Sequence, residues 1–200
     1  MADPIRFYFD FASPYAYFAL SELDAIGGEF GRPVEWRVVL MWPILKAHGI
    51  FPPMDAPVKR AYLLHDMKRS ARFMDVPYVH PVKLPLSSHL AARLYYGVEQ
   101  QVPGRGRAFG ERLFRAFFTE QQDISDAETL VRLAREFGLS EAQALEGMNG
   151  ASARALLEQA VNEAVCARVV GSPCFIVDGE TFFGADRLPQ LRWHLARRCQ

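Results

Sequence analysis

Between Ile5 and Phe11 the chain reads IRFYFDF, a run of β-formers in which Ile5, Phe7, Phe9 and Phe11 alternate with Arg6, Tyr8 and Asp10. Such period-two alternation specifies a strand. Ala12-Ser13-Pro14 stops it, and Tyr15, Phe18, Ala19 and Leu23 then recur at helical spacing as far as Gly27-Gly28. After Arg32-Pro33, the segment VEWRVVLM from Val34 to Met41 reads as a second strand, closed by Pro43. Strand, helix and strand in that order leave a right-handed βαβ unit with parallel strands as the economical arrangement.

The rest of the chain divides by the same signals. From 46 to 150 no comparable strand occurs, and helices are punctuated instead. Asp55 and Pro57 open one, while Ser125-x-x-Glu128 and Ser140-x-x-Gln143 are capping-box patterns separated by Gly138. Phe109, Leu113, Phe114, Phe117 and Phe118 form one apolar stripe, read as core packing. A further helix from about Ser152 to Arg168 carries Leu156, Leu157, Ala160, Val161, Ala164 and Val165 on one side. Then Gly171-Ser172-Pro173 leads into CFIVD, Asp178-Gly179 supplies a two-residue hairpin turn before TFFG, and LPQLRWHLARR forms a last helix. The expected fold is α/β: a βαβ portion over 1–45, an all-helical insertion over 46–150 and an αββα portion over 151–200.

Composition narrows the function classes. The 200 residues are half apolar, enough for a sizeable core, and 23 Lys and Arg balance 23 Asp and Glu. That balance offers no electrostatic surplus for general binding to nucleic acid or anionic membrane. There is no signal-peptide pattern and no long apolar run. Cys166, Cys174 and Cys199 are too widely spaced for a C-x-x-C pair, and their odd number fits a reducing, cytoplasmic address better than a disulfide framework. The five histidines lack metal-ligand spacing, so no metal is expected.

Two places could carry chemistry. Ser13 precedes Pro14, the residue best suited to a first helical position, so its hydroxyl is either a plain N-cap or a group beside free N–H donors where an anion is stabilised. Gly171-Ser172-Pro173 stands directly before a strand, and the topology brings it opposite Ser13. Its X-Pro bond is a candidate for the cis form, which only about one in twenty such bonds adopts. The main-chain groups of Ser172 could pair with an extended peptide-like ligand. On the helix after Pro57, Lys59, Tyr62, Asp66 and Arg69 share a polar face, with Asp66 and Arg69 read as structural pairs. Cys174 enters a buried strand and reads as a small hydrophobe.

The motifs FYFDFASPYAY at 7 to 17, PPMDAPVKRAYLLHDMKR at 52 to 69, GSPCFIVDG at 171 to 179 and FFGADRL at 182 to 188 together carry a resemblance. Over essentially its whole length the chain resembles the thioredoxin-like proteins of the DsbA superfamily. More closely, it resembles the kappa-class glutathione transferases and the 2-hydroxychromene-2-carboxylate isomerases. Where the oxidoreductases of that superfamily have C-x-x-C, this chain has Ser13, Pro14, Tyr15 and Ala16. The resemblance implies that the sulfur comes from glutathione, held opposite Ser13. It also implies that Ala185 and Asp186 bind the γ-glutamyl carboxylate through their N–H groups, that Ser172 and Pro173 meet the tripeptide, and that Lys59 approaches its glycyl carboxylate. Two positions depart from the family pattern: Ile50 follows Gly49 where relatives have Asn, and Ser87 stands where they often have Asn. Tyr15, Met41, Trp42 and Phe183 are candidate walls for an aromatic substrate, because they adjoin the Ser13 and Asp186 loops.

The function so implied is a glutathione-dependent isomerase of aromatic hydrocarbon degradation, a homodimer. It would interconvert 2-hydroxychromene-2-carboxylate and trans-o-hydroxybenzylidenepyruvate, or a close analogue, through a thiolate adduct. A kappa-like transferase or peroxidase shares the same activated sulfur. A non-enzymatic thioredoxin-like binding module uses only the proline loop.

Overall fold

Phe7 and Phe9 are wholly buried because their strand lies inside a four-stranded sheet covered on both faces. The computed structural model describes residues 3–198, so Cys199 lies outside the described residues. β1 (Ile5–Phe9) is followed by α1 (Pro14–Phe18), α2 (Leu20–Glu29), β2 (Val34–Val38) and α3 (Met41–Ala47). Six helices come next: α4 (Pro57–Phe73), α5 (His89–Gln101), α6 (Gly106–Phe118), α7 (Ala127–Arg135), α8 (Glu141–Asn149) and α9 (Ala151–Cys166). The hairpin β3 (Cys174–Val177) and β4 (Glu180–Phe183), a 3-10 turn (Ala185–Arg187) and α10 (Leu188–Arg198) complete the chain. The strand order is β2-β1-β3-β4, with β1 parallel to β2 and antiparallel to β3. The expected element order and α/β class are therefore observed.

One sheet face carries Phe7, Phe9 and Phe175 into a core shared with the aromatic stripe of α6. Phe114 lies 5.3 Å from Phe9 and 5.0 Å from Phe11 between ring centres, close enough for favourable tilted contact. The other face buries Tyr8, Cys174 and Ile176 against Ile44 of α3 and Ala160 and Ala164 of α9. With both faces covered, Tyr8 and Asp10 are buried alongside their apolar neighbours, and of the alternating polar positions only Arg6 keeps partial contact with solvent.

Several boundaries differ from expectation, each for a local reason. β1 ends at Phe9 rather than Phe11, because the Asp10 N–H leaves the ladder to donate to Ser172 Oγ. The first helix is two, joined at Ala19, and Gly27 and Gly28 lie inside α2 instead of ending it. A Cβ on Gly27 would stand 2.9 Å from the Arg32 carbonyl, so the helix approaches the returning chain too closely for a side chain there. β2 stops at Val38, and Met41 opens α3 with Pro43 in its first turn, where a missing N–H removes nothing. Ala56, not Asp55, caps α4, and Pro57 is its first residue. The box at Ser140 and Gln143 forms, but the one at Ser125 does not: Asp126 caps α7 by accepting from the Thr129 N–H, while Ser125 Oγ donates to Asp123. At the β3–β4 turn, Asp178 and Gly179 have φ of 50° and 81°, the left-handed pair that suits a two-residue hairpin.

Truncating Phe114 empties the ring contacts it makes with β1. Phe114→Ala is expected to lower folding stability by about 3–5 kcal/mol, read as a lower urea midpoint with unchanged slope.

Candidate functional site

Pro14 cannot donate a hydrogen bond and fits the first position of α1, which leaves Ser13 as its cap. Ser13 Oγ accepts from the Ala16 N–H at 3.3 Å and donates to the Ser172 carbonyl at 2.9 Å. Both candidate roles of Ser13 thus begin from one geometry: the side chain caps the helix and touches the proline loop. The Ser172–Pro173 bond is cis, as is Leu84–Pro85. β1–β3 pairing brings the loop here, since Tyr8 stands opposite Cys174.

In front of that loop opens a cleft of about 890 Å³. Tyr15 of α1, Tyr62 and Asp66 of α4, Ser172 and Pro173, and the stretch Phe183–Pro189 contribute to its walls. Of the residues singled out from the sequence, Tyr15, Ser172, Pro173, Phe183, Ala185 and Asp186 come together here. Ser13 is not on the wall, but reaches it through Ser172. Lys59, Met41 and Trp42 do not line the cleft: Lys59 and Trp42 are exposed, and Met41 begins α3. The Phe183 ring lies over Gly171, where an added Cβ would sit 2.0 Å from it, so the glycine is required by this approach. Ala185 and Asp186 open the 3-10 turn, and the first N–H groups of a helical turn have no acceptor within it.

Two members of the polar stripe of α4, Tyr62 and Asp66, face the same space. Asp66 accepts from Tyr15 OH at 2.6 Å, from Tyr62 OH at 3.3 Å and from Ser70 Oγ at 3.2 Å, and pairs with Arg69. The expected Asp66–Arg69 pair is present, and its Asp66 also lines the cleft, which sequence spacing alone did not reveal. The available signal was the i, i+4, i+7 repeat of Tyr62, Asp66 and Arg69. Burial by itself would raise the Asp66 carboxyl, but the hydrogen bonds from Tyr15, Arg69 and Ser70 outweigh it and hold the pKa below the usual carboxylate range. Burial and the Asp66 carboxylate push the Tyr15 phenol upward, so Tyr15 stays protonated and donating at neutral pH. Cys174 is buried and its thiol is pushed up to about 11, chiefly by desolvation, which fits a packing residue. Among the described residues no group of His, Cys, Asp and Glu side chains could hold a metal ion. No helix among them is long and apolar enough to cross a membrane.

The profile of the DSBA-like thioredoxin domain matches residues 4–196. The chain belongs to that family. It is 27% identical over 197 residues to a 2-hydroxychromene-2-carboxylate isomerase of Sphingobium xenophagum, covering 98% of this chain and 99% of that one. It is 25% identical to glutathione S-transferase kappa 1 of Homo sapiens, over 94% and 88% of the two chains. A solved 2-hydroxychromene-2-carboxylate isomerase superposes with a TM-score of 0.84 at 23% identity, covering 98% of this chain and 95% of that one. The cytosolic disulfide reductase DsbM of Pseudomonas aeruginosa, solved with GSH, gives 0.69 at 20% identity and 98% coverage of each. The sequence relatives that carry an activity in their names are isomerases and glutathione transferases, which supports an enzyme.

Because the Asp66 pKa is lowered on folding, its ionised form contributes stability that is fully present above the unfolded value of about 3.9 and is lost as pH falls through the folded value. Asp66→Asn is therefore expected to be less stable than the parent near neutral pH, and the gap to narrow as pH falls below about 3.9, in paired urea titrations.

Proposed function

We propose that the protein is a glutathione-dependent isomerase acting on 2-hydroxychromene-2-carboxylate or a close aromatic analogue, with trans-o-hydroxybenzylidenepyruvate or its counterpart as product. The observation that carries this reading is the Ser13 hydroxyl at the start of α1, bonded to the Ser172 carbonyl, in a family position where the stretch from Ser13 to Ala16 contains no cysteine. The residues present fit glutathione. Ser172 offers main-chain groups to an extended peptide, and the N–H groups of Ala185 and Asp186 offer donors to a carboxylate. The Asp186 side chain pairs with Arg187 at 3.0 Å, so its charge is partly neutralised beside those donors. Lys59, one turn before Tyr62 on the same face of α4, would meet the glycyl carboxylate.

Glutathione, when bound, supplies a thiolate able to add reversibly to a conjugated carbon. Ser13, whose hydroxyl donates to the Ser172 carbonyl, would instead donate to the sulfur of bound glutathione, and the freed carbonyl would be available to accept from a tripeptide N–H. Lowering a thiol pKa from about 8.5 to about 6.5 requires about 2.7 kcal/mol of preferential thiolate stabilisation. One hydrogen bond to a charged group contributes about 1.5–3 kcal/mol, and a helix start up to about 1 kcal/mol. Phe183 and Tyr15 give the cleft its aromatic edges, while Met41 and Trp42, at the start of α3 and off the cleft wall, would meet a substrate only where it extends beyond the cleft. The reading includes a cytoplasmic homodimer serving the breakdown of aromatic compounds.

A kappa-like transferase is the second reading, favoured by the glutathione S-transferase kappa relatives. Stoichiometry separates the two: catalytic glutathione supporting many turnovers fits the isomerase, and consumption in proportion to product fits the transferase. Ser13→Ala is expected to lower turnover by about ten- to a hundredfold with glutathione still bound. The ultraviolet absorbance of the thiolate should titrate at higher pH in the variant; an unchanged titration would remove Ser13 from this role.

A further inference from the structure

Asp10 and Ser88 are the polar side chains that the fold buries among the described residues, and they are bonded to each other. Asp10 Oδ1 accepts from Ser88 Oγ at 2.5 Å and from the Ala12 N–H at 2.9 Å, while Oδ2 accepts from the Met41 N–H at 2.9 Å. Its main chain extends the set: the Asp10 N–H donates to Ser172 Oγ at 3.0 Å, and its carbonyl accepts from the Ser13 N–H at 2.9 Å. One residue therefore joins four separate segments, namely the turn carrying Ser13, the Pro173 loop, the start of α3 and the start of α5.

A buried carboxylate is a costly way to stabilise the end of a strand. Desolvation penalises the charge, and an apolar side chain of similar volume is often as good or better for stability. Burial raises the Asp10 carboxyl, against the opposing bonds from Ser88, Ala12 and Met41. What the carboxylate provides is alignment: the Ala12 and Met41 N–H groups must each point at one of its two oxygens, which sets the spacing between the Ser13 turn and the start of α3.

We propose that Asp10 is a positioning residue for the reaction, registering the Ser13 turn against the Ser172–Pro173 loop and the start of α3 while touching neither sulfur nor substrate. The proposal rests on the functional reading above. Small misplacements of reacting groups are costly, with displacements of about 1 Å lowering rates by up to about a hundredfold. Asn at position 10 preserves size but presents an NH2 to at least one of three donors, since an amide has a single acceptor oxygen.

The test uses the whole chain. Asp10→Asn is expected to exchange its Met41 amide faster than the parent in ligand-free protein, by about tenfold or more. It is also expected to lower kcat by about ten- to a hundredfold while the KM for glutathione stays within about threefold. Ser88→Ala, which removes one donor and keeps the carboxylate, is expected to move kcat in the same direction by about two- to fivefold. That variant also decides the matter if Asp10→Asn does not fold. A role in stability alone would reduce the amount of folded enzyme, leaving kcat per active site unchanged in both variants, and that result would overturn the proposal. Unchanged exchange at Met41 in folded Asp10→Asn would overturn it as well. Calorimetry separates the two layers: a parent protein that takes up no glutathione ends the functional reading, whereas exchange in ligand-free protein still decides whether Asp10 holds the Met41 segment.

Discussion

The antiparallel pairing of β1 with β3 is the constraint on which the site depends. It sets Tyr8 opposite Cys174, and the next residues outward on each strand are then obliged to meet: Asp10 finds Ser172 Oγ, and Ser13 finds the Ser172 carbonyl. These groups lie more than 150 residues apart in the chain, so the contact exists only because the helical stretch between them folds back to close the sheet. β1 can serve this purpose because both its faces are covered. Its aromatic face packs on α6, and its other face packs on α3 and α9.

Around that junction the hydrogen bonds form a connected set in which each buried polar group has a partner. Ser13 is held from three directions, through its N–H, through the donation of its hydroxyl and through the acceptance from Ala16. A side chain so held is preorganised, which suits the role proposed for Ser13. The cleft in front has a different character. Its far wall is α4, whose Asp66 draws Tyr15, Tyr62, Ser70 and Arg69 into one cluster and so ties an otherwise exposed helix to the start of α1. The charge of Asp66 is spoken for by its donors, and the aromatic rings of Tyr15, Tyr62 and Phe183 share the rest of the lining with Glu22, Asp186 and Arg187.

Much of the architecture was legible because its causes are local. A strand of alternating aromatics, a serine before a proline, a Ser140–Gln143 box and an Asp-Gly turn each act within a few residues, and each appears where expected. The misplaced boundaries were those where a distant partner competes with a local one. Ser125 lost its cap to Asp126 because Asp123 had already engaged it, and β1 stops two residues early because Ser172 takes the Asp10 N–H. Met41 reads as the end of a strand by hydropathy, but its N–H is claimed by a buried carboxylate and it begins a helix.

The order of elements, the absence of a thiol at the head of α1 and the family were therefore written in the linear pattern, since period, turn chemistry and residue type are properties of neighbours. Which hydroxyl meets which carbonyl, the gathering of Tyr15 with Asp66 across 51 positions, and the placement of Lys59, Met41 and Trp42 off the cleft wall were decided in three dimensions. Those relations depend on how the sheet closes and how the helices cross it, and no short window of sequence contains that information.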